Sequence, residues 1–187
     1  MSQCRILVDS NAYFRLAKSI HPLLNVVFGN KQYCLYVIKE LQVEYNRSSR
    51  LKNAFPWVND PEYVKNRSHV LEVTKEEKSE IKRAYEFILD YVRNVHPDVS
   101  KVDVRCLAYA EQLSISVVTD DEEMRIVAGA YGITAYKTLE LLKLMLDCHY
   151  IGIEKIREIA GYWTYLNDMP KDFKTDYKKL FGEIPPK

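Results

Sequence analysis

The chain has almost no net charge: 27 lysines and arginines meet 26 aspartates and glutamates, leaving +1 at pH 7. A global field that gathers polyanions is thereby excluded. Any contact with nucleic acid must come from local basic patches. Cysteine is sparse as well. Cys4, Cys34, Cys106 and Cys148 are widely separated and form no CxxC pair. Three of them lie in apolar runs, where a thiol packs as a small hydrophobe. That pattern argues against a disulfide framework and against a cysteine zinc site. The four histidines show no metal-ligand spacing. No apolar run is long enough to span a bilayer, and no internal repeat or low-complexity tract is visible. No secretory-leader pattern precedes the run Ile6-Leu7-Val8, so the expectation is a cytoplasmic protein.

What is present is an ordinary globular composition. The 187 residues are 47% hydrophobic, 12% aromatic and 28% charged. That suits one α/β domain with an elaborated C-terminal end. Short apolar runs predict strands over 4–8, 33–36, 70–73, 115–119 and 133–136. Helical spacing predicts helices over 11–17, 37–45, 74–95, 100–113, 120–131, 138–147 and 151–167. Thr74 followed by Glu77 fits a capping box, and His96-Pro97 ends that helix. Ser100 fits a cap with Asp103 in the first turn of its helix. Gly132 fits a C-terminal stop. Residues 46–67 read as a polar, basic connection, and Pro170 and Pro185-Pro186 as marks of a loose tail. Strands alternating with helices give βαβ units, hence a parallel sheet covered on both faces. The expected division is a core over 1–137 and a helical extension over 138–187 packed on the same domain.

In such sheets ligands bind outside the carboxyl ends of the strands. Asp9 follows the first predicted strand, and Asp120 and Asp121 follow the fourth. Glu40 lies in the first turn of the helix after the second strand, with Glu44 one turn further on. Asp103 lies in the first turn of its own helix. Any one of these acids taken alone reads equally as a turn residue or a helix cap. Gathered in one cleft, they would repel each other unless a cation neutralised them. Mg²⁺ or Mn²⁺ suits such oxygen ligands, and one or two such ions can activate water at a phosphodiester. Asn11 and Thr119 are candidates to orient an acid or a water from behind.

These residues, in this order, resemble the PIN-domain family of ribonucleases, which includes the VapC-like toxins. Val8-Asp9-Ser10-Asn11 resembles the family's opening strand and Asp-x-Asn. The segment Val37-Ile38-Lys39-Glu40-Leu41 resembles its second motif. Ser100-Lys101-Val102-Asp103, with Leu107-Ala108-Tyr109-Ala110 behind it, resembles the third. Val117-Val118-Thr119-Asp120-Asp121 resembles the fourth, an apolar strand and then Thr-x-Asp. The resemblance spans about residues 4–136. It implies a three-layer α/β/α domain with a five-stranded parallel sheet ordered 3-2-1-4-5. It also implies divalent-metal-dependent cleavage of RNA. On that basis Asp9, Glu40, Asp103 and Asp121 are the expected catalytic carboxylates. Asp9, Asp103, Asp121 and Asp120 are the expected Mg²⁺ or Mn²⁺ ligands. Glu44 competes with Glu40, and Asp121 is favoured over Asp120. The resemblance does not account for the tail after residue 137.

Arg47, Arg50 and Lys52, with Lys65 and Arg67 nearby, form the candidate patch for an RNA backbone. A solvated connection is the plainer reading of the same charges. Tyr13 and Phe14 could stack on a base or fill the core. Leu139, Leu142, Leu146, Ile153, Ile156, Ile159, Trp163 and Leu166 make an amphipathic C-terminal face. That face suits a homodimer, a protein partner such as an antitoxin, or simple coverage of the sheet. Two other functions compete. One is a non-catalytic PIN-like module that binds RNA or protein. The other is a phosphotransfer protein, which Asn11 disfavours because an amide cannot act as the general acid.

Overall fold

The computed structural model describes residues 3–186. Five strands, β1 (Cys4–Val8), β2 (Val27–Phe28), β3 (Tyr33–Tyr36), β4 (Ser116–Val118) and β5 (Ala135–Tyr136), form one sheet in the order β2-β3-β1-β4-β5. β1 runs parallel to β3 and β4, and β4 parallel to β5. β2 alone is antiparallel, folded back on β3. The helices are α1 (Ser10–Leu16), α2 (Glu40–Arg47), α3 (Ser49–Ala54), α4 (Pro61–Arg67), α5 (Lys75–Val95), α6 (Lys101–Gln112), α7 (Glu122–Ala130), α8 (Thr138–Asp147), α9 (Ile153–Leu166) and α10 (Phe173–Phe181).

Strand alternation sorts the core into two layers. Ile6, Val8, Leu35 and Val118 point to one face, where α1, α8, α9 and α10 supply Leu16, Leu142, Ile159 and Tyr177. Leu7, Cys34 and Val117 point to the other, against Ile88 of α5, Leu107 of α6 and Val127 of α7. The architecture is therefore a mixed α/β fold, a mostly parallel five-stranded sheet with helices on both faces, as the sequence predicts.

Two details of the expected sheet are corrected. Residues 70–73 form no strand. The edge beyond β3 is already taken by β2, so this run finds no ladder, and Val70 is left 55% exposed. The edge strand instead comes from Val27–Phe28, too short for a periodicity signal. Its turn depends on Gly29, which has φ +67°. A Cβ there would also sit 2.5 Å from Cys148 Sγ at the end of α8.

The predicted capping box of Thr74 with Glu77 is formed, and the predicted cap Ser100 forms a second box with Asp103. The region 46–67 is not a loose connection. It holds α3, α4 and a 3-10 turn at Pro56–Asn59; Leu51 of α3 is buried in the core, and Arg67 ties α4 and the turn to α1 and α2. That guanidinium is buried and donates to Tyr13 Oη at 2.9 Å, to Gln42 Oε1 at 2.8 Å and to the Val58 carbonyl at 2.6 Å. Arg67 is thus removed from the basic patch. Tyr13→Phe should cost about 1.5–3 kcal/mol, because a hydrogen bond to a buried charge is lost. Urea unfolding measures it, and a cost under about 0.5 kcal/mol would show that Arg67 is satisfied without Tyr13.

The stretch after Asn167 is also more ordered than expected. Phe173 and Tyr177 of α10 are buried, with Phe173 edge-on to Trp163 at 6.1 Å. Their four-residue spacing is a helical signal that Pro170 and Pro185-Pro186 obscure.

Candidate active site

The carboxyl ends of β1 and β4 lie side by side, since Val8 pairs with Val118. The next residue of each chain segment therefore opens onto the same edge. Asp9 is the N-cap of α1, and its Oδ1 accepts the Ala12 amide at 2.6 Å. Asp121 is the N-cap of α7, accepting the Met124 amide at 2.7 Å, while its own amide bonds Thr119 Oγ1 at 3.1 Å. Asp103 sits in the first turn of α6, where its Oδ2 accepts the Ser100 amide at 3.2 Å. Each acid thus has a helix N-terminus behind it, which holds its rotamer. The capping alternative weighed from sequence is realised for Asp9 and Asp121, and it leaves each of them with a second oxygen.

Burial makes this edge electrostatically unusual. Asp9 is 4% exposed, and its pKa is raised from 3.8 to about 7. Desolvation is the main cause, and the charges of Asp103 and Asp120 add to it. The Thr119 hydroxyl and the Ala12 amide pull the other way. Asp103 is raised too, by burial first and then by Glu44 and Asp121. Asp103 therefore lies within electrostatic reach of Asp9, Glu44 and Asp121.

Burial is the main cause that raises the Cys106 thiol, with Asp9, Asp103 and Glu40 adding to it, and Glu44 stands beside Ser10 and Asp103. Glu44 accepts Ser10 Oγ at 2.7 Å and raises Asp103. Glu40 turns toward α6, with Arg105 at 3.6 Å from Oε1, and its buried Oε2 has no hydrogen-bond partner. The strand ends at Tyr36, four residues before α2 begins. Sequence spacing alone left the choice between the two glutamates open.

Asp120 is corrected as a metal ligand. Its Oδ1 accepts the Thr138 amide at 3.0 Å, and its Oδ2 takes the Thr138 hydroxyl at 2.7 Å and Arg15 Nη1 at 2.5 Å. Both oxygens are committed to joining β4, α1 and α8. Arg15 in turn bonds the Asp168 side chain at 3.0 Å, so the region after α9 forms one wall of the site. No sequence signal pointed to Arg15 or Asp168.

Asn11 is exposed and lines a cleft of about 600 Å³ that also contains Asp121 and Arg50. Of the basic patch, Arg50 reaches this cleft, whereas Arg47 and Lys52 are exposed and do not line it. Phe14 and Tyr13 are core residues, as the plainer reading had it.

The donor set fits a hard divalent cation in its chemistry: carboxylate oxygens, a hydroxyl and a deficit of positive charge beside Asp9. Among the described residues, no three His, Cys, Asp or Glu side chains converge as a ready-made cage. A Mg²⁺ site does not require one, because that ion is commonly held through one or two carboxylates and keeps several waters. Among the described residues, no helix is long and apolar enough to cross a membrane.

No protein-family profile matches the sequence, and no curated protein matches it. Among solved structures, the chain is similar to the crystal structure of FitAcB from Neisseria gonorrhoeae. The identity is 15% and the TM-score 0.47, over 72% of this chain and 98% of that one.

Proposed function

We propose that the chain is a divalent-metal-dependent endoribonuclease, with Asp9, Asp103 and Asp121 holding Mg²⁺ or Mn²⁺ and Glu44 completing the acidic edge. The observation that carries this reading is Asp9. It is a buried acid at the carboxyl end of a central strand, with further acids adding to the repulsion that already raises it. Folding tolerates such a group when the site gains by binding a cation.

A bound cation would supply a more acidic bound water and a counter-charge for the phosphoryl oxygens. The chain's own residues do the rest. The amides of Ala12 and Met124 lock Asp9 and Asp121, so the ligand oxygens need no reorganisation on binding. Thr119 holds the backbone of Asp121 against the end of β4. Asn11, whose amide both donates through its NH₂ and accepts through its carbonyl, lines the cleft, where it would orient a phosphate or a water. Arg50 supplies charge for the RNA backbone without a competing ion pair among the described residues.

The test is incubation of structured and unstructured RNAs with the protein in Mn²⁺, in Mg²⁺ and in EDTA. Internal cleavage is expected with either ion and none in EDTA. Glu44→Gln should lower the rate at least tenfold more than Glu40→Gln, since only Glu44 touches Ser10. A rate insensitive to EDTA, or equal losses for the two glutamates, would defeat these assignments. The alternative of a non-catalytic binding module predicts RNA retention without cleavage. Whether an antitoxin covers the site or two copies pair are separate proposals, which sedimentation alone and with a co-expressed small partner would decide.

A further inference from the structure

Residues 70–73 lie between α4 and α5 and run without a turn or bend, outside both the sheet and the helices. Their side chains alternate as those of a strand do. Leu71 is buried and Val73 half-buried in the core layer of α5 and α6, whereas Val70 and Glu72 are exposed. Yet among the described residues no backbone N–H or C=O of this run takes part in a hydrogen bond. A strand-like run anchored by Leu71, with its backbone groups open, is a template for a further strand. Two clefts follow the run and share Val70, Leu71 and Glu72 as walls. One, of about 460 Å³, continues from Val73 to Val37, Tyr109, Lys39 and Lys78. The other, of about 500 Å³, continues from His69 to Tyr36 and Arg5. The charges that line them are lopsided. Lys39, Lys78 and Arg5 stand against Glu72 alone, and none of the four is in an ion pair among the described residues.

We propose that this run is the docking edge for an acidic, extended segment of a protein partner, which adds beside residues 70–73 as a β-strand. Backbone pairing holds the incoming strand, and its alternate side chains set which strand is taken. An apolar residue of that strand meets Val37, Val70 and Tyr109, and its acids meet Lys39 and Lys78 at one end and Arg5 at the other. The cations decide the sign of the partner, because a basic strand would be repelled by all three. The open carbonyls decide its class. Phosphates of a nucleic acid satisfy cations and N–H groups but carry no donor for a carbonyl, whereas a second peptide backbone matches donors and acceptors alike. Asp9, Asp103 and Asp121 take no part, so the docking edge stands or falls apart from the nuclease reading.

The probe is a fluorescent peptide of about ten residues that alternates valine and glutamate, blocked at both ends. Anisotropy compares it with the same sequence carrying lysine for glutamate, and with a copy N-methylated at every second residue, which keeps the charge and blocks the pairing. The acidic peptide is expected to bind at least about tenfold tighter than either. Lys78→Glu should weaken it about threefold and Glu72→Lys should strengthen it about threefold. Both side chains are exposed, so neither exchange disturbs the core. Hydrogen exchange fixes the place. The amides of residues 70–73 should exchange freely in the chain alone and about tenfold more slowly with the peptide at saturation. No binding of the acidic peptide, equal affinity for the N-methylated copy, unchanged affinity in both variants, or binding that leaves these amides unprotected would overturn the docking edge. A single-stranded oligoribonucleotide that protects the same amides as strongly would overturn it too, and would assign the run to nucleic acid.

Discussion

Asp9→Asn is expected to stabilise the metal-free protein at pH 8 while removing cleavage. An unfolded aspartate ionises near 3.8, whereas Asp9 in the fold ionises near 7. Between those values the folded chain holds a proton that the unfolded chain has lost. Stability therefore falls as pH rises through that window and stays low above it. The gap corresponds to a loss on the order of 4 kcal/mol, since each pKa unit is worth about 1.4 kcal/mol. Raised Asp103 acts in the same direction. Asparagine keeps an oxygen for the Ala12 amide and carries no charge, so it should flatten the profile. The two proteins should be nearly equal near pH 4 and diverge towards pH 8. Urea unfolding at a series of pH values in EDTA gives the result. Mg²⁺ or Mn²⁺ should raise the melting temperature of the parent by mass action and leave the variant unmoved. Parallel pH profiles would show that Asp9 is not the strained acid, and equal metal responses that it is not a ligand.

Arg15→Met is the second large effect. The Arg15–Asp120 pair is mostly withdrawn from water, with side-chain exposures of 13% and 12%. Removing the guanidinium leaves Asp120 charged, poorly solvated and close enough to Asp9 to raise it further. It also frees Asp168, whose carbonyl and side chain both accept from Arg15. Breaking a buried pair from one side costs about 3–5 kcal/mol, most of it from the stranded partner. Asp120→Asn in the same chain should recover part of the loss, with a coupling of about 1–3 kcal/mol. Simple additivity in the double mutant would mean that Asp120 is already content with Thr138 and that Arg15 acts only through Asp168. Trp163, whose Nε1 donates to the Arg15 carbonyl at 3.1 Å, ties the same cluster to α9. The loss of Arg15 is therefore expected to loosen the wall that carries Met169.

The residue order alone settled the class of fold and most of the acidic edge. Alternating apolar strands and amphipathic helices require a covered parallel sheet. Acids placed just after central strands open onto its carboxyl edge, which is why the residue order points to Asp9 and Asp121. The caps at Thr74 and Ser100 are local devices, fixed by neighbours three residues apart, and they too were legible. Long-range partners decided the rest. Residues 70–73 have strand character, but a strand needs a free edge, and β2 had taken it. The Thr-x-Asp pattern favours Asp121 over Asp120, but what engages Asp120 is not in the pattern: Arg15 and Thr138, 105 and 18 residues away, claim both its oxygens. Glu40 and Glu44 share a helix, and only the packing of α2 beside Ser10 and α6 sorts them. Arg67 reads as one more surface charge until the fold closes around it with Tyr13, Gln42 and Val58 as partners. Periodicity encodes which face of an element is buried. It carries no information about which distant group a polar side chain will meet, because that pairing exists only once the sheet has brought the elements together.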